Sequence, residues 1–299
     1  MYLILCFLFI VAIVLYQKTT TLYEGFDNIP ENIGNYLAAY VYHYSKSICE
    51  EKDFSYQTSG SQFLKHLPSH IPFNASLSTQ FKEKGITLEK LGYQDVSLWD
   101  CTEDTKMNML HILKQTVHSI LDQAIVKSGL KRTPLHTVIH FRCADVPFAK
   151  HPSYFLQRYP FLKEALEKIN PSDKTVTLMN CSTHLSKKEE QEACALYTKH
   201  MSEYLESIGY HVNVRCNSNL EDFADLFYAK SVISTGGSYS FMSGFFGHGQ
   251  FLSTEHILDG KTCTTKECDT IFIRGHNIMH HEVESYYDVD KVQSLLYVI

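Results

Sequence analysis

The residues best suited to chemistry lie in three short stretches. The first runs His136-Thr137-Val138-Ile139-His140-Phe141-Arg142-Cys143-Ala144-Asp145. Its apolar part reads as a buried strand, and strand alternation places His140 and Arg142 on one side and Phe141 on the other. A guanidinium at a strand end matches two phosphate oxygens bidentately and stays charged at any relevant pH. A structural salt bridge to a nearby acid such as Asp145 is the competing use of Arg142. The second stretch is Ser234-Thr235-Gly236-Gly237-Ser238-Tyr239-Ser240-Phe241. Gly236 and Gly237 permit a tight turn with close backbone approach, while Ser238 and Ser240 supply hydroxyls. A helix beginning near Tyr239 would aim N–H groups and a positive dipole end at an anion. A plain capped strand-to-helix turn fits the same residues. The third stretch, Glu221-Asp222-Phe223-Ala224-Asp225, opens a helix. Asp222 and Asp225 read either as acids favoured in a first helical turn or as acceptors for a ligand.

Other signals carry less. The glycines are adjacent, so the turn is not G-x-G-x-x-G, and no Gly-Lys-Ser/Thr makes a P-loop. Asp288-Val289-Asp290 has the D-x-D spacing that some transferases use to hold a metal, but it precedes a predicted final helix, and Asp290 reads as its cap. His276 and His280 stand four apart near His281 and Glu282 without an H-E-x-x-H pattern, and read as solvated or packed histidines. No metal site is expected.

A parallel sheet is what brings the first two stretches together. From residue 131 onward, apolar strand-like runs alternate with helical ones. The strands fall at 136–142, 174–180, 210–216, 231–235 and 250–255. The helices lie near Pro160, over 187–209, over 219–230 and just after Gly237. The helix over 187–209 is predicted to bury Ala193, Leu196, Tyr197, His200, Tyr204 and Ile208, and it closes at Gly209. This alternation predicts an α/β fold with helices on both faces of a parallel sheet. Ligands gather at the carboxyl ends of such strands, where both Arg142 and the glycine turn sit. Upstream, residues 33–49 read as a helix. Met109, Ile112, Leu113, Val117, Ile120, Leu121 and Ile125 have helical spacing before Gly129.

Length and composition bound the rest. The chain has 299 residues, 44% of them apolar, with a net charge of −6. Length suggests two domains, divided here as 18–130 and 131–299. No basic footprint marks a nucleic-acid binder. Residues 1–17 carry no charge and predict a membrane anchor spanning roughly 24 Å at about 1.5 Å per residue. A cleaved signal peptide and a buried strand or helix are the alternatives, although neither a basic leader nor a small-x-small cleavage site marks the peptide. Eight cysteines follow Cys6, an even number that permits disulfides, Cys263 and Cys268 closing a small hairpin among them. Ordinary reduced cysteines are the other reading. Asn74-Ala75-Ser76 is an N-glycosylation sequon and Asn180-Cys181-Ser182 a poorer one, each meaningful only in a lumen.

His140-x-Arg142-x-x-Asp145, a β-α-β-α stretch, then Asp222-Phe223-Ala224-Asp225-Leu226 and Ser234 to Phe241 together resemble the donor-binding half of fucosyltransferase-like glycosyltransferases. The resemblance is nearest the α1,2-fucosyltransferases and the protein O- and α1,6-fucosyltransferases, and covers roughly residues 136–255. Cys143 stands where the family has a second arginine, and Phe241-Met242 where it has a tryptophan pair. The resemblance implies a two-domain GT-B-like architecture with a C-terminal Rossmann-like half. It implies inverting transfer from GDP-fucose, or another nucleotide sugar, to a glycan or glycoprotein, with no cofactor and no essential metal. Arg142, His140 and Asp145 would be the catalytic set: Arg142 on the β-phosphate, His140 lining the crevice, Asp145 a candidate base. Asp222, Asp225, Gly236, Gly237, Ser238, Ser240 and Phe241 would form the donor site. A single-pass type II protein facing the Golgi or ER lumen is the matching expectation. A non-catalytic glycan- or nucleotide-binding protein on the same fold is the alternative.

Overall fold

The computed structural model describes residues 33–57, 63–92, 98–131, 135–143, 147–148, 156–181, 187–254, 270–273, 277–278 and 282–297. The predicted anchor, Asp145, the Cys263–Cys268 hairpin and His276, His280 and His281 lie outside them. Among the described residues no helix is long and apolar enough to cross a membrane.

The first part is helical. Helix α1 (Ile33–Cys49) buries Ile33, Leu37, Tyr40, Val41, Tyr44 and Ile48, the three-four spacing of one helix face. A two-strand ribbon of β1 (Phe54–Ser55) and β2 (His70–Ile71) follows. Helix α2 (Ala75–Glu83) starts where the Asn74 side chain accepts from the Ser76 and Leu77 N–H groups, and the short α3 spans Leu88–Leu91. Helix α4 (Glu103–Lys127) buries Met109, Leu113, Val117, Leu121 and Ile125 as the periodicity predicts.

The second part supplies the main sheet. In chain order it contains β3 (Thr137–His140), the short β4 (Leu156–Gln157), α5 (Tyr159–Ile169), β5 (Thr175–Met179) and α6 (Lys188–Ser207). Then come β6 (His211–Arg215), α7 (Asn219–Tyr228), β7 (Ser231–Ser234), α8 (Ser238–Phe245), β8 (Gln250–Thr254), β9 (Thr270–Ile273), β10 (Asn277–Ile278) and α9 (Val289–Leu296). Six strands lie side by side in the order β6-β5-β3-β7-β8-β9, all parallel. Counted along the sheet-forming strands, that order is 3-2-1-4-5-6, the doubly wound Rossmann-like arrangement. β4 pairs only with β10, antiparallel and apart from the main sheet.

Alternation along the strands builds two cores. Val138, Val232 and Phe251 face one apolar cluster, shared with α1, α4, α7 and α8. Ile139, Ile233 and Leu252 face the other, shared with α5, α6 and α9. The first cluster runs unbroken from Ile33 to Phe251, so residues on both sides of position 130 share one core. Gly34 makes the closest join. A Cβ there would stand 2.3 Å from the Tyr239 nitrogen, so α1 settles onto the start of α8 only with glycine at that position.

Two local expectations are corrected. Helix α6 buries Ala193, Cys194, Tyr197, Thr198, Met201, Tyr204 and Leu205, while Leu196 is 45% exposed. The face is turned because Cys194 is disulfide-bonded to Cys143 and draws its own side of the helix inward. At α9 the capping position belongs to Asp288, which pairs with Lys291 at 2.7 Å; Asp290 lies inside the first turn.

Candidate functional site

In this strand order the direction in which strands are added reverses between β3 and β7, and the crevice outside their carboxyl ends is where doubly wound sheets bind ligands. His140 ends β3 directly opposite Ser234 of β7. The Thr235 N–H and hydroxyl both donate to the His140 carbonyl, at 3.1 and 3.2 Å, and the Arg142 N–H donates to Thr235 Oγ1 at 3.0 Å. The loop carrying Arg142 is thus stitched to the glycine turn through one threonine, a residue that sequence reading passed over.

The turn is built for the arginine. Gly237 has φ +96°, and a Cβ there would lie 2.6 Å from Arg142 Cδ and 2.7 Å from Nη1. Gly236 has φ +127°, but a Cβ there meets nothing within 4 Å. Ser240 is fully buried, with its hydroxyl 2.7 Å from that of Ser234; the Gly236 N–H donates to Ser234 Oγ at 3.1 Å. Ser238 donates to Asn35 Oδ1 of α1 at 2.6 Å. Phe241 is wholly buried, stacked on Phe245 and edge-on to Trp99. Ser238, Ser240 and Phe241 therefore brace the turn and core instead of lining the crevice. The expected open N-terminus of α8 is covered too, because Gly34 of α1 sits against the Tyr239 nitrogen.

The crevice itself is a cleft of about 180 Å³. Its walls are His140 at the end of β3 with Phe141, Arg142 and Cys143 after it; Met179 at the end of β5 with Asn180 and Cys181 after it; Asn219 and Asp222 of α7; and Tyr239 of α8. Pockets for drug-sized ligands usually hold about 300–1,000 Å³, so these walls suit a phosphate or a single sugar ring. The chain continues from Cys143 and Cys181 into residues 144–146 and 182–186, outside the described residues.

Two disulfides hold the rim. Cys143 is bonded to Cys194 of α6, and Cys181, after β5, to Cys216, after β6. The position that departs from the fucosyltransferase pattern is thus half of a cystine. Alternation continued past the strand end carries Cys143 to the face of Ile139 and Phe141, where α6 waits.

The cleft wall includes the ionisable groups of His140 and Asp222, while Asp225 is not among its lining residues. His140 Nδ1 is closed off from solvent with no hydrogen-bond partner. Burial first, then the Arg142 charge, lowers the imidazole to about 3, so it is neutral at physiological pH. Asp222 is 4% exposed, and its Oδ1 is likewise buried without a partner. Its Oδ2 accepts from the Asn217 N–H at 3.3 Å. Burial raises Asp222 to about 6 against the pull of Asn217 and Arg215. Asp225 shares the inward face of α7, is also raised to about 6 by burial, and pairs with Arg215 at 2.6 Å. Glu221, by contrast, points outward and completes a capping box with Ser218. The acids of this first turn divide by helix face. Arg215, at the end of β6, carries the same strand-end signal in the sequence as Arg142. Tyr239 completes the wall; its hydroxyl donates to the Asn219 carbonyl, and its ring lies 5.5 Å from that of His140.

Fold and site together define an α/β protein with a Rossmann-like parallel sheet and, at the strand-order reversal, a cleft whose mainly apolar wall carries a few polar groups. Comparison with protein-family models, curated proteins and solved structures found no match.

Proposed function

We propose that this protein is a glycosyltransferase of the fucosyltransferase-like kind, with the two-domain GT-B organisation and membrane anchor that the sequence implies. Its cleft takes the sugar-linked phosphate of a nucleotide-sugar donor, GDP-fucose by the resemblance. The observation that carries the reading is Arg142, held at the strand-order reversal by Thr235 and by a glycine that makes way for its side chain. As the bond from the sugar's anomeric carbon to the diphosphate breaks, negative charge grows on the leaving phosphate. A fixed guanidinium there stabilises that charge more than the ground state. Neutral His140 offers a hydrogen bond without adding charge. Asp222 Oδ1 offers an acceptor to a ligand N–H or O–H, a guanine or sugar hydroxyl in this reading. The acceptor hydroxyl must lose a proton as the sugar transfers with inversion, and Asp145 is the residue put forward for that step.

The second reading, a non-catalytic glycan- or nucleotide-binding protein, is favoured by one observation: Cys143 is locked in a cystine where the related enzymes have a second arginine. One experiment separates the two. The full-length protein is heated with GDP, GDP-fucose, UDP-sugars and pyrophosphate, and donor turnover is followed in parallel. A ligand at 100 times its Kd adds about 2.7 kcal/mol of stability. Stabilisation by GDP-fucose that disappears in Arg142→Ala, together with turnover, supports the transferase. Stabilisation without turnover supports the binder. No stabilisation by any nucleotide or by pyrophosphate refutes the transferase and the nucleotide binder, and leaves the glycan binder to be tested with glycans in the same assay.

A further inference from the structure

We propose that Asn74 is an N-glycosylation site, the one of the two sequons that the fold leaves open to modification. Two independent observations meet here. The first concerns compartment. Cys143–Cys194 and Cys181–Cys216 tie separate elements together across 51 and 35 residues. Disulfides form and persist in oxidising compartments such as the ER lumen and are rare where thiols are kept reduced. That lumen is also where Asn-x-Ser/Thr acceptors receive their glycans.

The second observation is how differently the two asparagines are held. Asn74 is exposed, as are Ala75 and Ser76. Its Oδ1 does the structural work, accepting from the Ser76 N–H at 3.0 Å and the Leu77 N–H at 3.2 Å to cap α2. The sugar is carried on Nδ2, and a glycosylated amide keeps its carbonyl oxygen as an acceptor, so cap and glycan are compatible. Asn180 is the opposite case. Its Nδ2 already donates to Thr198 Oγ1, its side chain lines the cleft, and Cys181 next to it is disulfide-bonded. A glycan there would fill the cleft and displace α6.

The chemistry balances with a co-reactant of the lumenal membrane, a lipid-diphosphate-linked oligosaccharide. Asn74 Nδ2 forms a bond to the anomeric carbon and gives up one proton. The bond from that carbon to the diphosphate breaks, and the lipid diphosphate leaves. The product carries its glycan on the capping residue of α2, a helix that packs against α1 and α4 and supplies none of the cleft lining. This assignment is independent of which ligand the cleft takes.

The test is expression of the full chain in cells with an N-glycosylating secretory pathway, followed by peptide-N-glycosidase treatment, gel mobility and peptide mass spectrometry. Wild type should shift on treatment, with position 74 recovered as aspartate. Asn74→Asp should abolish the shift while retaining an oxygen to cap α2. Ser76→Ala should abolish it while leaving Asn74 in place. Asn180→Asp should leave the shift unchanged. A wild-type chain that does not shift overturns the assignment. Its cystine content, read from the same digest, tells whether compartment or accessibility was the failed premise. A shift that survives in Asn74→Asp overturns it as well.

Discussion

Replacing Gly237 by alanine tests the site's construction, and replacing Gly236 supplies its control. Both glycines have positive φ, +96° and +127°. Gly237 also has ψ 148°, a combination that costs a residue with a Cβ about 1–3 kcal/mol. Strain of similar size is expected at Gly236. The difference lies in what the new methyl meets. At 236 it meets nothing within 4 Å, whereas at 237 it stands 2.6 Å from Arg142 Cδ and 2.7 Å from Nη1. Non-bonded carbons prefer about 3.5–4.0 Å, so the guanidinium must swing away by roughly 1 Å. Misplacement on that scale costs about 100-fold in rate where geometry is exacting, and a loss of the same order is expected in anion affinity. Pyrophosphate or GDP at 100 times the wild-type Kd stabilises the wild type by about 2.7 kcal/mol. The same concentration would sit near the Kd of Gly237→Ala and add only about 0.4 kcal/mol. Gly236→Ala should keep the full ligand gain on a lowered baseline. Urea unfolding with and without ligand reads both quantities. Equal ligand gains in all three proteins would refute the claim that Gly237 positions Arg142 for an anion.

Further outcomes follow from the same structure. Asp222 is raised from 3.8 to about 6, so the native state holds more protons than the unfolded chain between those values. Stability should be greatest below that window and fall as pH rises through it, and Asp222→Asn should remove on the order of 3 kcal/mol of that slope, measured by denaturation from pH 3.5 to 8. Phe241→Ala should lose about 3–5 kcal/mol of stability, yet Phe241→Leu should retain ligand stabilisation in a thermal-shift assay, because the ring belongs to the core. The paired change Cys143→Ser with Cys194→Ser should cost about 4 kcal/mol in the chain-entropy account of a cross-link spanning 51 residues, read by denaturant midpoint under non-reducing conditions. Gly34→Ala should cost about 1–3 kcal/mol by forcing α1 off the Tyr239 backbone, a change visible as a lowered melting temperature.

Sequence alone determined the features that depend on local pattern. Strand runs alternating with helical periodicity located the five strands from β3 to β8 in the main sheet, and the helices between them, because strands buried on both faces read as short continuous apolar runs while the helices keep a 3.6-residue period. Strand-end logic also placed Arg142 and the glycine turn on one edge. Tertiary structure decided everything that depends on who sits opposite. The order of strands, and hence the reversal between β3 and β7, is set by non-local pairing that no local period encodes. Cys143 looked like a missing arginine until α6 brought Cys194 against it. Glu221, Asp222 and Asp225 are three acids within five residues of one helix, and only the docking of α7 on the sheet separated two buried carboxylates from a solvent-facing cap. Ser238 and the start of α8 were legible as an anion-binding turn, but α1, more than 200 residues earlier in the chain, reaches them first. A side chain's type states which interactions it can make. Its burial and its partners come from distant parts of the chain, so its role here was settled by packing.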